Sequence, residues 1–353
     1  MNPDRLHRLT KDWIAIPSVS ETEHQLCLAL EDELQRRGWW VRRQEVAEGR
    51  VNLLATAGEA PPRVLFNTHL DTVPGVYGPD EDSERIYGRG ACDAKGILAA
   101  MLEALQQAKD RGREDLGLLL VVGEEKDHCG ARVAGGDPQL PCPEVLVVGE
   151  PTDNAFMRAE KGVLAGRLRA RGREGHSGYP ERCDSAVEKL LDAAQSLRQA
   201  PWLADASDRG TTLNLSLLEG GDAYNKVPRQ ASLALMFRLD QPAEQIRRRT
   251  EAVLAPWAPE VRVEWSLESA ADPLHDLDTL AGHRHGVAAF HTDLSHFGWQ
   301  ARRRYLVGPG SIHQAHRDLV GGDRMAAEWI SKASLETGAR LYAHILEKET
   351  APC

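Results

Sequence analysis

Residues 64–75, VLFNTHLDTVPG, open as a continuous apolar run and then set a histidine and an aspartate two positions apart where that run stops. Such a run suits a strand buried on both faces. Side chains two apart on a strand point to one side, so His69 and Asp71 share a face at the carboxyl end of a predicted inner strand. Two more runs repeat the arrangement. LGLLLVVG (116–123) leads into Glu124-Glu125, and EVLVVG (144–149) leads into Glu150. In an open α/β sheet, the carboxyl ends of strands are where functional groups gather.

Working outward, RLHRLTKDWI and HQLCLALEDELQRRG carry apolar residues at helical spacing, with Gly38 as a stop for the second. WWVRRQEV and VNLLAT read as strands, and AKGILAAMLEALQQAKDRG as a long helix ending in glycine. The pattern predicts an α/β unit with a largely internal sheet. From residue 162 the texture changes. VLAGRLRARG alternates like a strand, SAVEKLLDAAQSLRQA is helical, TTLNLSLLEGG and ASLALMFRLD are strands, PAEQIRRRTEAVLAPW is helical and VRVEWSLES is a strand. That β-α-β-β-α-β order predicts a ferredoxin-like α+β domain. Beyond about residue 270, RYLVGPG and the helical ASLETGARLYAHILEK return to the first texture. The predicted architecture is α/β, a discontinuous domain of residues 1–162 and 270–353 with residues 163–269 inserted.

At 353 residues, 42% hydrophobic and 27% charged, the chain has the composition of a soluble protein large enough for two domains. MNPDRLHRLTKDW lacks the apolar stretch of a signal peptide, and no later run approaches the roughly 18 apolar residues of a membrane span. The expectation is a cytoplasmic protein with no membrane partner. A formal charge of −10 argues against nucleic acid, and the arginine triplets at 247–249 and 302–304 read as solvated surface. The six cysteines show no CxxC spacing and read as reduced thiols.

Taken alone, His69 and Asp71 fit a hydrogen-bonded structural histidine, and Asp93 in YGRGACDAKG fits a helix N-cap. Together with Glu124, Glu125 and Glu150 they form a set rich in carboxylates, whose mutual repulsion calls for a cation or a shared proton. Two divalent ions about 3.5–4 Å apart need such donors plus a second imidazole. GPGSIHQAHRDLV offers His313 and His316. Cys129 and His128, just after GEEKD, read as loop residues.

In order and spacing, THLDTVP, GRGACDAKG, GEE, GEPT, GHSGYP, TLNLSLLEGGDAYNKVP and GPGSIHQAH resemble the motifs of the co-catalytic zinc deacylase and peptidase family. That family includes acetylornithine deacetylase, succinyl-diaminopimelate desuccinylase, aminoacylase-1 and carboxypeptidase G-type enzymes. The resemblance runs from about residue 10 to the C-terminus, and its TLNLSLLEGGDAYN and GPGSIHQAH stretches lean towards acetylornithine deacetylase. It implies a zinc-peptidase-like α/β/α catalytic domain with an inserted lid and dimerisation domain, and two divalent ions, zinc first and cobalt second. His69 and Glu150 would hold one ion, Glu125 and His316 the other, and Asp93 would bridge them. Glu124 would be the general base, and Asp71 the carboxylate that orients His69. His176 of GHS would bind the oxyanion, reaching an active site across a dimer interface or on domain closure. Asn225 and Arg238 match positions that recognise a substrate α-carboxylate, although a strand-surface role competes for Arg238. Thr292, followed by Asp293, stands where relatives carry a pair near the substrate.

Departures from the pattern leave alternatives open. RDLVGGDRM follows His316, where acetylornithine deacetylases usually continue with a Pro-Asp-Glu-type segment, so His313 competes for the last ligand position. The implied activity is hydrolysis of an N-acyl amino acid, N-acetylornithine foremost. Alternatives are succinyl-diaminopimelate, a lysine or ornithine carried on an acidic amino-group carrier protein docked at 302–304, and a dipeptide. An inactive binding relative that keeps the fold is the reading from outside the enzymes.

Overall fold

The computed structural model describes residues 2–140, 142–205, 210–297, 301–318, 320–323 and 325–350, and for 267–270 the backbone only. Cys353 lies outside these residues, so the expectation of a reduced thiol there is not addressed. Among the described residues, no helix is long and apolar enough to cross a membrane. The chain forms two compact units: Met1–Arg158 with Asp276–Gly286 and Thr292–Cys353, and Ala159–His275 with Val287–His291.

The first unit is built on a six-stranded sheet in the order Trp40–Ala47, Arg50–Thr56, Leu116–Val121, Val64–His69, Val145–Val148 and Arg303–Leu306. The first three strands pair antiparallel and the last four parallel. Every residue of Val64–His69, Leu116–Val121 and Val145–Val148 is buried, which is why these segments read as unbroken apolar runs. Helices Pro3–Ile14, Lys95–Asp110 and Lys332–Lys348 pack against one another, and the core joins Leu6, Trp13, Leu98, Met101, Tyr342 and Ile345 to Phe66 and Leu118 of the sheet. Ser331 caps the last helix by accepting from the Ser334 N–H, a contact of the kind that contributes about 1 kcal/mol. The helix His24–Arg36 ends at Gly38, whose φ of +75° only a residue without a Cβ adopts readily.

The second unit holds a four-stranded antiparallel sheet in the order Thr212–Gly220, Gln230–Leu239, Gly162–Arg171, Val261–Ala271. Helices Ala186–Arg198 and Ala243–Leu254 pack on it through Leu190, Leu197 and Ile246 against Leu168, Leu235 and Phe237. Strand two beside three, three beside one and one beside four is the ferredoxin-like order that the β-α-β-β-α-β pattern predicts. A short ribbon, Gly175–His176 paired with Lys226–Val227, extends one end of this sheet.

Candidate metal centre

The four parallel strands of the first unit send their carboxyl ends to one edge of the sheet, so the residues that follow them converge. His69 Nε2 lies 2.9 Å from Asp93 Oδ1. His316 Nε2 lies 2.8 Å from Glu125 Oε1 and 3.3 Å from Asp93 Oδ2. His69, Asp93 and Glu150 each offer a donor atom within 4.8 Å of the other two, and so do Asp93, Glu125 and His316. Asp93 belongs to both groups and turns one oxygen to each histidine. Ligands about 2.0–2.2 Å from one tetrahedral ion stand roughly 3.3–3.6 Å apart, so these donors need to open by only a few tenths of an ångström. Imidazole nitrogen and carboxylate oxygen, with one carboxylate shared, form a donor set that fits two divalent ions.

Two of the alternatives left by the sequence fall away in this geometry. Asp93 is not the N-cap of the helix Lys95–Asp110; Ala94 holds that position. His313 and His316 are both exposed, but it is His316, with a left-handed backbone at φ 56°, that meets Asp93 and Glu125.

Burial would raise the Asp93 carboxyl, but hydrogen bonds from His316 and His69 hold it well below the usual carboxylate range. The contacts with Asp93 and Glu125 push the His316 imidazolium up to about 10. Burial disfavours charge on His69, yet bonding to Asp71 and Asp93 raises it well above its ordinary value. Glu124, Glu125 and Glu150 are raised, each first by burial and then by the neighbouring carboxylates. Crowding therefore disfavours the charged forms of these carboxyl groups, the condition a pair of dications relieves.

Asp71 does more than the sequence implies. The His69 Nδ1–H donates to the Asp71 backbone carbonyl at 2.9 Å, while the carboxylate Oδ1 stands back at 3.5 Å. That bond fixes the tautomer and leaves the Nε2 lone pair directed at the centre. The Asp71 carboxylate accepts the backbone N–H groups of Glu124 at 3.0 Å and Glu125 at 3.2 Å, and the Ser20 hydroxyl at 2.7 Å. It thereby holds the turn that presents the adjacent glutamates. The expected orienting carboxylate thus acts on His69 mainly through its main chain and on Glu124-Glu125 through its side chain.

Glu328, wholly buried, plays the same part for Asp93. Its Oε1 accepts from the Cys92 and Asp93 N–H groups at 3.0 and 3.1 Å, and its Oε2 from Arg89 Nη1 at 2.7 Å. Arg89 also pairs with Asp318, two residues beyond His316, and so ties the two ligand-bearing loops together. Glu328→Gln is expected to weaken metal affinity about 10–100-fold without unfolding the chain. Competition against a chelator measures this, and an unchanged affinity would remove Glu328 from the support of Asp93.

The remaining expected site residues are placed differently. His176 and Asn225 come together on the ribbon of the second unit, where the Ser177 N–H donates to the Asn225 carbonyl at 3.0 Å. His176 Nδ1 accepts from the Gly178 N–H at 3.0 Å, which puts the ring proton on Nε2. Arg238 pairs with Val163 and Thr212 at the opposite end of Gln230–Leu239, roughly 27 Å along the strand from Gln230. Within one unit it cannot share a small substrate with Asn225. Thr292, expected to touch substrate, is fully buried, and its hydroxyl accepts from the Leu294 N–H at 3.2 Å to cap a 3-10 turn. In the 302–304 triplet, Arg302 pairs with Glu144, and Arg303 with Asp278 and Glu349. These ion pairs withdraw much of the charge expected to dock an acidic carrier. Sequence reasoning missed the parts that Glu328 and His128 play in the first unit. His128 lies in its loop as expected, yet its Nδ1 is 2.9 Å from Asp293 Oδ1 and 3.7 Å from Glu124 Oε1. Its spacing of four from Glu124 was the only signal available.

Two donor groups sharing a carboxylate, with the partly buried Glu124 beside them, define a metal-dependent hydrolase of the co-catalytic kind. Residues 65–348 match peptidase family M20/M25/M40, and the chain belongs to that family. It is 32% identical to a probable carboxypeptidase of Aspergillus flavus, over 96% of this chain and 86% of that one. Its fold is similar to that of a tripeptidase from Staphylococcus aureus, with a TM-score of 0.79, 20% identity, and 99% and 100% of the two chains covered. It also resembles a dinuclear metal-binding peptidase of the M20 family from Bacillus subtilis, with a TM-score of 0.66, 13% identity and 98% of each chain covered. The chain is accordingly a metal-dependent hydrolase acting on amide bonds.

Proposed function

We propose that this hydrolase cleaves the amide joining an acyl or peptidyl group to an amino acid with a free α-carboxylate, using two zinc ions. The observation that carries the reading is Asp93 standing in both donor groups, with Glu124 held beside them by Asp71. His69 and Glu150 would hold one ion, Glu125 and His316 the other, and cobalt could replace zinc at the same nitrogen and oxygen donors. Bound there, the ions would polarise the amide carbonyl and make a water acidic enough to lose a proton near neutral pH. Glu124 would serve as the general base, accepting a proton from the attacking water and passing it to the departing amine. Asp71 keeps Glu124 and Glu125 in place, and Glu328 does the same for Asp93.

Within this substrate class, N-acetylornithine is the narrowest form the motifs favour, whereas the relatives' names, probable carboxypeptidase and tripeptidase, favour short peptides. Assembly of two copies through the inserted unit, with His176 as oxyanion donor and Asn225 and Arg238 as carboxylate partners, belongs to the same proposal. The test is a substrate panel: acetyl, succinyl and γ-glutamyl amides of ornithine, citrulline, lysine and diaminopimelate, beside dipeptides and tripeptides with free or amidated C-termini. Cleavage is expected only where the leaving amino acid keeps its carboxylate. Equal rates on amidated peptides would contradict the reading, and no cleavage of any member would favour the inactive relative.

A further inference from the structure

Beyond the paired donor groups, the first unit holds a third set that the proposed reaction does not use as a set: Glu124, His128 and Asp293, whose donor atoms all lie within 4.8 Å of one another. Its separations, 2.9 Å from His128 Nδ1 to Asp293 Oδ1 and 3.7 Å from His128 Nδ1 to Glu124 Oε1, bracket the roughly 3.3–3.6 Å between ligands of one tetrahedral ion. The shorter equals the His69–Asp93 separation of 2.9 Å, and the longer exceeds the 3.3 Å of His316–Asp93. Asp293 is 1% exposed, and its second oxygen, Oδ2, has no hydrogen-bond partner among the described residues, a costly condition for a buried carboxylate. The His128 ring is fixed by stacking on His296 at 4.3 Å between centroids. Two carboxyl groups facing one imidazole offer the mixed nitrogen and oxygen donors that a divalent ion takes.

We propose that Glu124, His128 and Asp293 form a third, weaker zinc site whose occupation inhibits the enzyme by engaging Glu124. This inference rests on the reading of Glu124 as the general base beside a two-ion centre. Once Glu124 ligates an ion it can no longer take the proton, so zinc beyond two equivalents lowers turnover. One imidazole and two carboxylates make a zinc-competent set, and with Glu124 already shared with catalysis the third ion binds less tightly than the first two.

The test counts zinc bound per chain by equilibrium dialysis against rising free zinc, with turnover followed in parallel. The wild type is compared with His128→Asn and Asp293→Asn. Asparagine tolerates the left-handed backbone at position 128, φ 55°, and is isosteric at position 293. Thermal melting checks that each variant folds, and either variant suffices. The expected result is three ions for the wild type and two for each variant, with excess zinc slowing the wild type at least about tenfold and the variants not at all. Saturation of the wild type at two ions would overturn the third site and leave the two-ion centre standing. A third ion retained by both variants would also overturn it. A wild type that binds no zinc would instead sink the two-ion reading, and the third site with it.

Discussion

Glu124→Ala is expected to lower turnover by about 10²–10⁴, the contribution of a positioned acid–base group, while metal content stays near that of the wild type. The asymmetry follows from geometry. Glu124 belongs to neither group built on Asp93, so its removal takes away no donor from those two sites. The Glu124 N–H that Asp71 anchors survives the substitution, so Glu125 keeps its place. Burial and the nearby Glu150 carboxylate raise the Glu124 carboxyl. Paired assays of hydrolysis and bound metal decide the matter. A variant that keeps its rate would remove Glu124 as the base, and one that loses both ions would make it a ligand.

Asp93→Ala should have the larger effect on metal, because one carboxylate serves both groups. Its Oδ1 faces His69 and its Oδ2 faces His316, so a single truncation takes a donor from both sites. The expected outcome is loss of both ions at concentrations that saturate the wild type, with activity falling to background. His316→Ala is the instructive comparison, since it strips one donor from one group only. A variant at position 93 that retains two ions would show that the carboxylate does not bridge.

These expectations draw unequally on sequence and on structure. His69, Glu124, Glu125 and Glu150 were legible because each follows an apolar run whose burial on both faces leaves an unmistakable pattern, and parallel pairing then brings the strand ends together. The ferredoxin-like order of the inserted unit was legible for a similar reason: alternation and helical spacing switch cleanly at each element. What escaped depends on contacts between distant residues. Choosing His316 over His313 required the left-handed backbone at 316. Glu328 lies in no periodic pattern and acts on the main chain of Asp93, 235 positions away. His128 and Asp293 are 165 positions apart, and nothing in either neighbourhood announces their meeting. Thr292 shows a further ambiguity, since a threonine before an acidic residue looks the same whether it greets a substrate or caps a turn.

The central claim, that paired donor sets sharing Asp93 hold two ions that make the chain an amide hydrolase, is tested most directly by counting metal in the purified protein after dialysis and removing it stepwise with a chelator. Two tightly held ions per chain, with hydrolysis lost as they leave and restored by two equivalents of zinc, is the expected result. Full hydrolysis by metal-free protein would contradict the account.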